Sequence, residues 1–153
     1  MKCGVLLTDL SKAVDCLVHD LLIAKLHAYG FDYLSLKLIN SYLTGRRQRV
    51  RVGASFGEWK NIDYGVPQGS VLGPELYNYY SNDLFLFILL EIANYADDNS
   101  PFSVADSIPQ VISDLGEDAK NLLNWIKYNS LKISRLGWTG MRYLTPFVRS
   151  FWA

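Results

Sequence analysis

The sequence predicts an α+β fold, and three observations carry that expectation. Apolar runs of strand length stand at 3–8 and 84–90. Two segments of helical period, each closed by a glycine, follow the first run, and a third follows the second. Between them lies a loop crowded with glycine and proline that feeds a further helix.

Taken in order, residues 3–8 are apolar and suit a buried strand that ends at Asp9. From Asp20, residues Leu21, Leu22, Ala24, Lys25, Leu26 and Tyr29 give a helical face that stops at Gly30. A second short helix is expected over 35–43, closed by Gly45. In "RRQRVRVG", Arg47, Arg49 and Arg51 point one way and Gln48, Val50 and Val52 the other, which reads as one strand with a basic face. Gly65, Pro67, Gly69, Gly73 and Pro74 then make a rigid loop leading into a helix through Leu76, Tyr77, Tyr80 and Leu84. The apolar run "LFLFILL" reads as a strand, and "YADD" as its turn, because Asp and Asn tolerate the positive φ of a tight hairpin. Pro101 cannot donate to a ladder, so the returning strand is expected at an edge or cut short. Residues 109–127 support a final helix with Val111, Ile112, Leu115, Leu122, Leu123 and Ile126 apolar. After Ile133 the sequence mixes aromatics, glycines and arginines with no clean period, and is expected to pack differently from the rest.

The 153 residues suit one domain with a sizeable core, and half of them are hydrophobic. The longest apolar run is far short of the roughly 20 residues that cross a bilayer, so no membrane-spanning segment is indicated. The amino terminus reads as a strand rather than a signal peptide. Cys3 and Cys16 lack the spacing of a zinc site and fit small hydrophobes of a reduced intracellular protein, in cytoplasm or nucleus. Formal net charge is zero, so a nucleic-acid partner would need a local basic patch.

Asp97 and Asp98 in "NYADDNS" set two like charges side by side after an apolar run. At about 4 Å such charges repel by roughly 4 kcal/mol at an effective dielectric near 20, and a cation would compensate. Asp9 also ends an apolar strand, and if the strands are neighbours the three carboxylates converge. Such a set suits Mg²⁺, and two ions about 3.5 to 4 Å apart serve phosphoryl transfer. The competing reading is a solvated Asp-Asp turn. In "GVPQGS", Gln68 offers an amide on a rigid support that could lie under a base or sugar, while the plain alternative is a helix-entry turn capped by Ser70. Arg47, Arg49 and Arg51 offer phosphate contacts, or else defend an exposed strand against edge pairing. His19 and His27 are isolated and fit cap and surface roles.

Taken together and in order, "LLTDLSKAVD", "GVPQGSVLGP" and "NYADDN" resemble three consecutive signature motifs of a reverse transcriptase, nearest to the Jockey-like retrotransposon polymerases without long terminal repeats. The resemblance covers roughly 3–133. It implies a reverse transcriptase domain over 1–133 and a divergent, poorly ordered tail over 134–153. The implied fold is a palm with a ferredoxin-like β-α-β core and an antiparallel sheet with helices on one face, its fingers and thumb truncated. Asp9, Asp97 and Asp98 would be the catalytic residues and hold two Mg²⁺ ions, or Mn²⁺. Tyr95 and Ala96 would lie under the primer end, and Gln68 and Gly69 would contact the incoming nucleotide and template. Val14 sits where the family usually carries an aromatic residue that excludes the 2′-hydroxyl, which puts sugar discrimination in question.

The implied partners are an RNA template, a DNA primer and a deoxynucleoside triphosphate, with no membrane. The implied activity is RNA-directed DNA synthesis, and the expectation for this chain alone is weak or no activity, because the basic fingers that grip the triphosphate would precede Asp9. The alternative is a non-catalytic remnant that binds RNA or a partner through Arg47, Arg49 and Arg51. Apolar surface on "LFLFILL" and the tail would favour self-association.

Overall fold

The computed structural model describes residues 1–95, 98–142 and 145–151. The elements run β1 (Lys2–Leu10), a 3-10 turn (Ala13–Cys16), α1 (His19–Ala28), α2 (Tyr33–Leu43), β2 (Arg47–Gln48), β3 (Arg51–Val52), β4 (Ser55–Phe56), β5 (Lys60–Asn61), α3 (Leu72–Ser81), a second 3-10 turn (Asn82–Leu86), β6 (Glu91–Tyr95), β7 (Asp98–Ala105), α4 (Ile108–Tyr128), β8 (Ile133–Arg142) and β9 (Thr145–Phe151). The α+β class expected from the sequence is met, with antiparallel sheets and four α-helices among the described residues. The chain divides into two compact units. One combines Met1–Ala13 with Ser81–Ala153, and the other is Val14–Tyr80.

The first unit is a five-stranded sheet in the order β6-β7-β1-β8-β9. β1 is central because its alternation serves it there: Gly4, Leu6, Thr8 and Leu10 are buried, while Leu7 and Asp9 are exposed. α4 packs on β1 and β7 through a stripe of buried residues, Val111, Leu115, Asp118, Leu122, Trp125 and Ile126. Ser107 caps its start by accepting the N–H of Gln110. Ile112 and Leu123, expected on the apolar face, lie at its exposed margins, and Trp125 takes the buried position instead.

Two expectations fail here for physical reasons. The run "LFLFILL" is not a strand. It forms the 3-10 turn and a loop in which Leu84 and Ile88, four apart, are buried, while Leu86 and Leu89 face outward. Helical spacing has overridden strand propensity, helped by Asp83, which accepts the indole N–H of Trp125 at 2.8 Å. Asp118 then accepts the backbone N–H groups of Leu89 and Leu90, one on each carboxylate oxygen at 2.9 Å, and starts β6 just after them. Nor is β7 an edge or cut short, since it lies between β6 and β1 with Pro101 buried. Its partners on β1 run to Val5↔Phe102 and resume at Thr8↔Asn99, so the missing proline N–H is absorbed as a local gap in the ladder. Beyond Ile133, β8 runs antiparallel along β1 from Leu10 to Cys3.

In the second unit α1 packs on α2, with Leu17, Leu22, Leu26, Leu43, Val66, Leu76, Tyr77 and Tyr80 buried. Asp32 caps α2 by accepting the N–H groups of Leu34 and Ser35 and the hydroxyl of Ser35. These bonds, led by the backbone N–H of Ser35 and then its hydroxyl, hold the Asp32 carboxyl below its ordinary range.

Candidate functional site

The carboxylates of the first unit are positioned by strand ends. β1 and β7 pair antiparallel through Thr8↔Asn99, and Asp9 and Asp98 are the next residues of the two strands beyond that pair. Thr8 and Asn99 are buried, and side chains alternate along a strand, so Asp9 and Asp98 belong to the exposed side at that end of the sheet. Both residues are exposed. Just inside them the strands are locked through the buried Thr8 and Asn99: the Thr8 hydroxyl donates to the Asn99 carbonyl at 2.7 Å, and the side-chain amide of the exposed Asn94 donates to Oδ1 of Asn99 at 2.7 Å. On the other flank of β1, the Ser134 hydroxyl donates to Oδ2 of Asp9 at 2.6 Å. Tyr95 is exposed and pairs with Asp98 across the β6–β7 hairpin. Ala96 and Asp97, expected at that turn, lie outside the described residues. Among the described residues no three His, Cys, Asp or Glu side chains form a metal-holding group. Two exposed carboxylates at adjacent strand ends nonetheless have the donor chemistry that hard divalent cations take.

The second unit organises the "GVPQGS" loop. Gly65 donates its N–H to Leu17 O at 2.7 Å, Val66 donates to Val14 O at 3.2 Å, and His19 Nε2 lies 2.7 Å from Gly65 O. Gly65 has φ +78°, and a Cβ there would stand 2.7 Å from the Asp15 backbone, so only glycine permits this approach. The loop is thereby held against the turn that carries Val14 and Asp15. Gln68 is exposed and donates its amide N–H to both Asp15 oxygens, at 2.8 and 3.1 Å. A carboxylate only accepts, so Asp15 fixes which end of the amide faces it and leaves Oε1 turned to other partners. Gly69 follows at φ +73° with open space around it. Ser70 does cap the following helix, its hydroxyl accepting the N–H of Gly73 at 3.0 Å. The two readings of this loop are therefore compatible.

The arginine segment is not one strand. β3 pairs with β4 through Arg51↔Phe56, and β2 pairs with β5 through Gln48↔Lys60. Two residues separate Gln48 from Arg51 while three separate Phe56 from Lys60, so one side carries an extra residue and the ladder breaks in a bulge. The three arginines are nonetheless gathered by aromatic rings. The Arg49 guanidinium lies 3.9 Å from the ring centre of Phe56 and 4.5 Å from that of Trp59, with Arg51 over Phe56 at 5.3 Å and Arg47 over Trp59 at 5.7 Å.

Sequence reasoning missed Thr8, Asp15, Asn99, Ser134, Phe56 and Trp59. Asp15 stood in plain view inside "KAVD", and the other five show their importance only through partners remote in sequence or across a hairpin.

Known proteins bear on these observations. A family profile described as "Reverse transcriptase (RNA-dependent DNA polymerase)" matches residues 1–136. The chain is 32% identical over 140 residues to the "Probable RNA-directed DNA polymerase from transposon BS" of Drosophila melanogaster, covering 86% of this chain and 15% of that protein. It is 38% identical over 102 residues to the "Probable RNA-directed DNA polymerase from transposon X-element" of the same organism, covering 63% and 11%. To the "RNA-directed DNA polymerase from mobile element jockey" it is 31% identical over 134 residues, covering 82% and 14%. The chain thus spans about a ninth to a seventh of the length of these curated relatives. With Asp9, the Gln68 loop and the Asp98 hairpin all inside the matched residues, the chain belongs to the reverse transcriptase (RNA-dependent DNA polymerase) family.

Proposed function

We propose that this chain is the palm portion of an RNA-directed DNA polymerase, with Asp9, Asp97 and Asp98 as its catalytic carboxylates. The observation that supports this reading is the β1–β7 register, in which the paired Thr8 and Asn99 are the immediate neighbours of Asp9 and Asp98. In the reaction the 3′-hydroxyl oxygen of a DNA primer attacks the α-phosphorus of a deoxynucleoside triphosphate, the bond to the β-phosphate oxygen breaks, and pyrophosphate leaves. Divalent cations, two Mg²⁺ or Mn²⁺, would supply activation of the attacking hydroxyl and neutralisation of the leaving oxygen. Asp9 would engage them with the oxygen that Ser134 leaves unbound, and the Thr8–Asn99 lock would keep β1 and β7 from sliding as charge moves at their ends. Gln68, oriented by Asp15, would meet the nucleotide or template, with Gly69 allowing close backbone approach. Tyr95 and Ala96 would support the primer end. Val14 offers less bulk than an aromatic ring at its position, so discrimination against a 2′-hydroxyl is expected to be lax.

These 153 residues on their own are expected to extend a primer weakly or not at all, because positioning supplies much of the rate in such chemistry. A second reading, a non-catalytic binder of RNA or a partner, is favoured by Arg47, Arg49 and Arg51, which have no carboxylate partner among the described residues. Primer extension on an RNA template with Mg²⁺ separates them when the folded chain is compared with Asp97→Asn. Extension abolished in the variant supports the polymerase reading with its chemistry retained, extension surviving in it removes the carboxylates from the chemistry, and no extension from either means a polymerase by descent only for these residues and makes RNA binding the next measurement.

A further inference from the structure

The bulged hairpin at 46–62 concentrates charge that the whole chain does not have. It holds Arg46, Arg47, Arg49, Arg51 and Lys60 against Glu58 alone, in a protein of zero formal net charge. Among the described residues no carboxylate pairs with Arg47, Arg49 or Arg51. Their side-chain contacts are the rings of Phe56 and Trp59 and, for Arg51, the carbonyl of Gly53 at 2.9 Å. Both rings remain about half exposed, Phe56 at 52% and Trp59 at 55%. A merely protective basic edge needs no aromatic residues, and burial is not what these rings provide. Guanidinium planes and half-open rings, interleaved and paired with phosphate-binding charge, present both surfaces that an unpaired nucleotide chain requires: a π-face for bases and cations for its backbone.

We propose that Phe56 and Trp59, with Arg47, Arg49 and Arg51, form a stacking platform for an unpaired nucleic-acid strand, RNA in the first instance. The inference rests on the reading that this family member handles nucleic acid, and narrows it to bases read by stacking rather than to a duplex held by charge. Base-paired nucleotides hide their faces inside the helix, so the platform selects single strands.

The test is fluorescence anisotropy on the full chain with three probes of equal length: a labelled mixed-sequence RNA strand, the same strand with its bases replaced by abasic sites, and the RNA duplex. The intact strand is expected to bind about tenfold or more tightly than the abasic one, with the duplex also weaker. Phe56→Leu and Trp59→Leu should each cost about tenfold on the intact strand and little on the abasic one. Replacing the three arginines by glutamine should lower the slope of log affinity against log salt by about two. Equal binding of intact and abasic strands, which needs no variant to fold, would overturn the platform and leave a charge-only nucleic-acid surface standing. Binding of none of the three probes would overturn the nucleic-acid reading itself, and the platform with it.

Discussion

At the residue scale, the carboxylate end of the sheet makes a claim about ion affinity that needs no turnover. Asp9→Asn should weaken Mn²⁺ binding, followed by the paramagnetic resonance of the free ion, by more than the roughly tenfold expected for losing an outer partner in Ser134→Ala. Thermal stability should hardly change for Asp9→Asn, since the side chain is exposed. Asp32 tests the same chemistry where no metal is involved. Its bonds to Ser35 and Leu34 favour the ionised form, so its support for α2 is complete above the unfolded carboxylate range and disappears as pH falls through the lowered folded value. Asp32→Ala should erase that acidic step in a helicity titration. The sequence set the end of the first apolar strand at Asp9, and β1 runs one residue further, to the buried Leu10. Thr8 and Asn99 were not legible, because each acts through a residue about ninety positions away and neither leaves a periodic trace.

At the element scale, two supports carry predictions. Asp118 is fully buried and accepts two backbone N–H groups at the entrance to β6, so Asp118→Ala strands both donors and should destabilise the protein by about 2 to 4 kcal/mol in denaturant unfolding. Gly65→Ala should cost at least about 2 kcal/mol, because the new methyl meets Asp15 backbone in a left-handed conformation. Suppression of that loss by a further change at Asp15 is not expected, since the clash is with main chain. Helices α1, α2, α3 and α4 could be read from period, glycine and capping because those signals are local. The run at 84–90 misled because its β propensity is equally local, whereas the groups that decide its form, Trp125 and Asp118, belong to α4. The continuity of the arginine strand was misread, since a bulge depends on counting residues against a partner that periodicity does not identify.

At the scale of the whole molecule, apolar side chains stand outward in both units: Leu34 and Leu38 on α2, Phe85, Leu86 and Leu89 before β6. Leu86→Asp should lower any concentration-dependent association in sedimentation without loss of stability, because that side chain is 83% exposed. The order of the chain adds a kinetic consequence. β1 is made well before its neighbours β7 and β8, with all of Val14–Tyr80 between. At about 5 to 20 residues per second of synthesis, β1 would wait for seconds with both hydrogen-bonding edges open while the inserted unit completes first. Closure of the central strand should therefore be the late, slow event in refolding, and conditions that lengthen the wait should divert the chain into edge-to-edge aggregates.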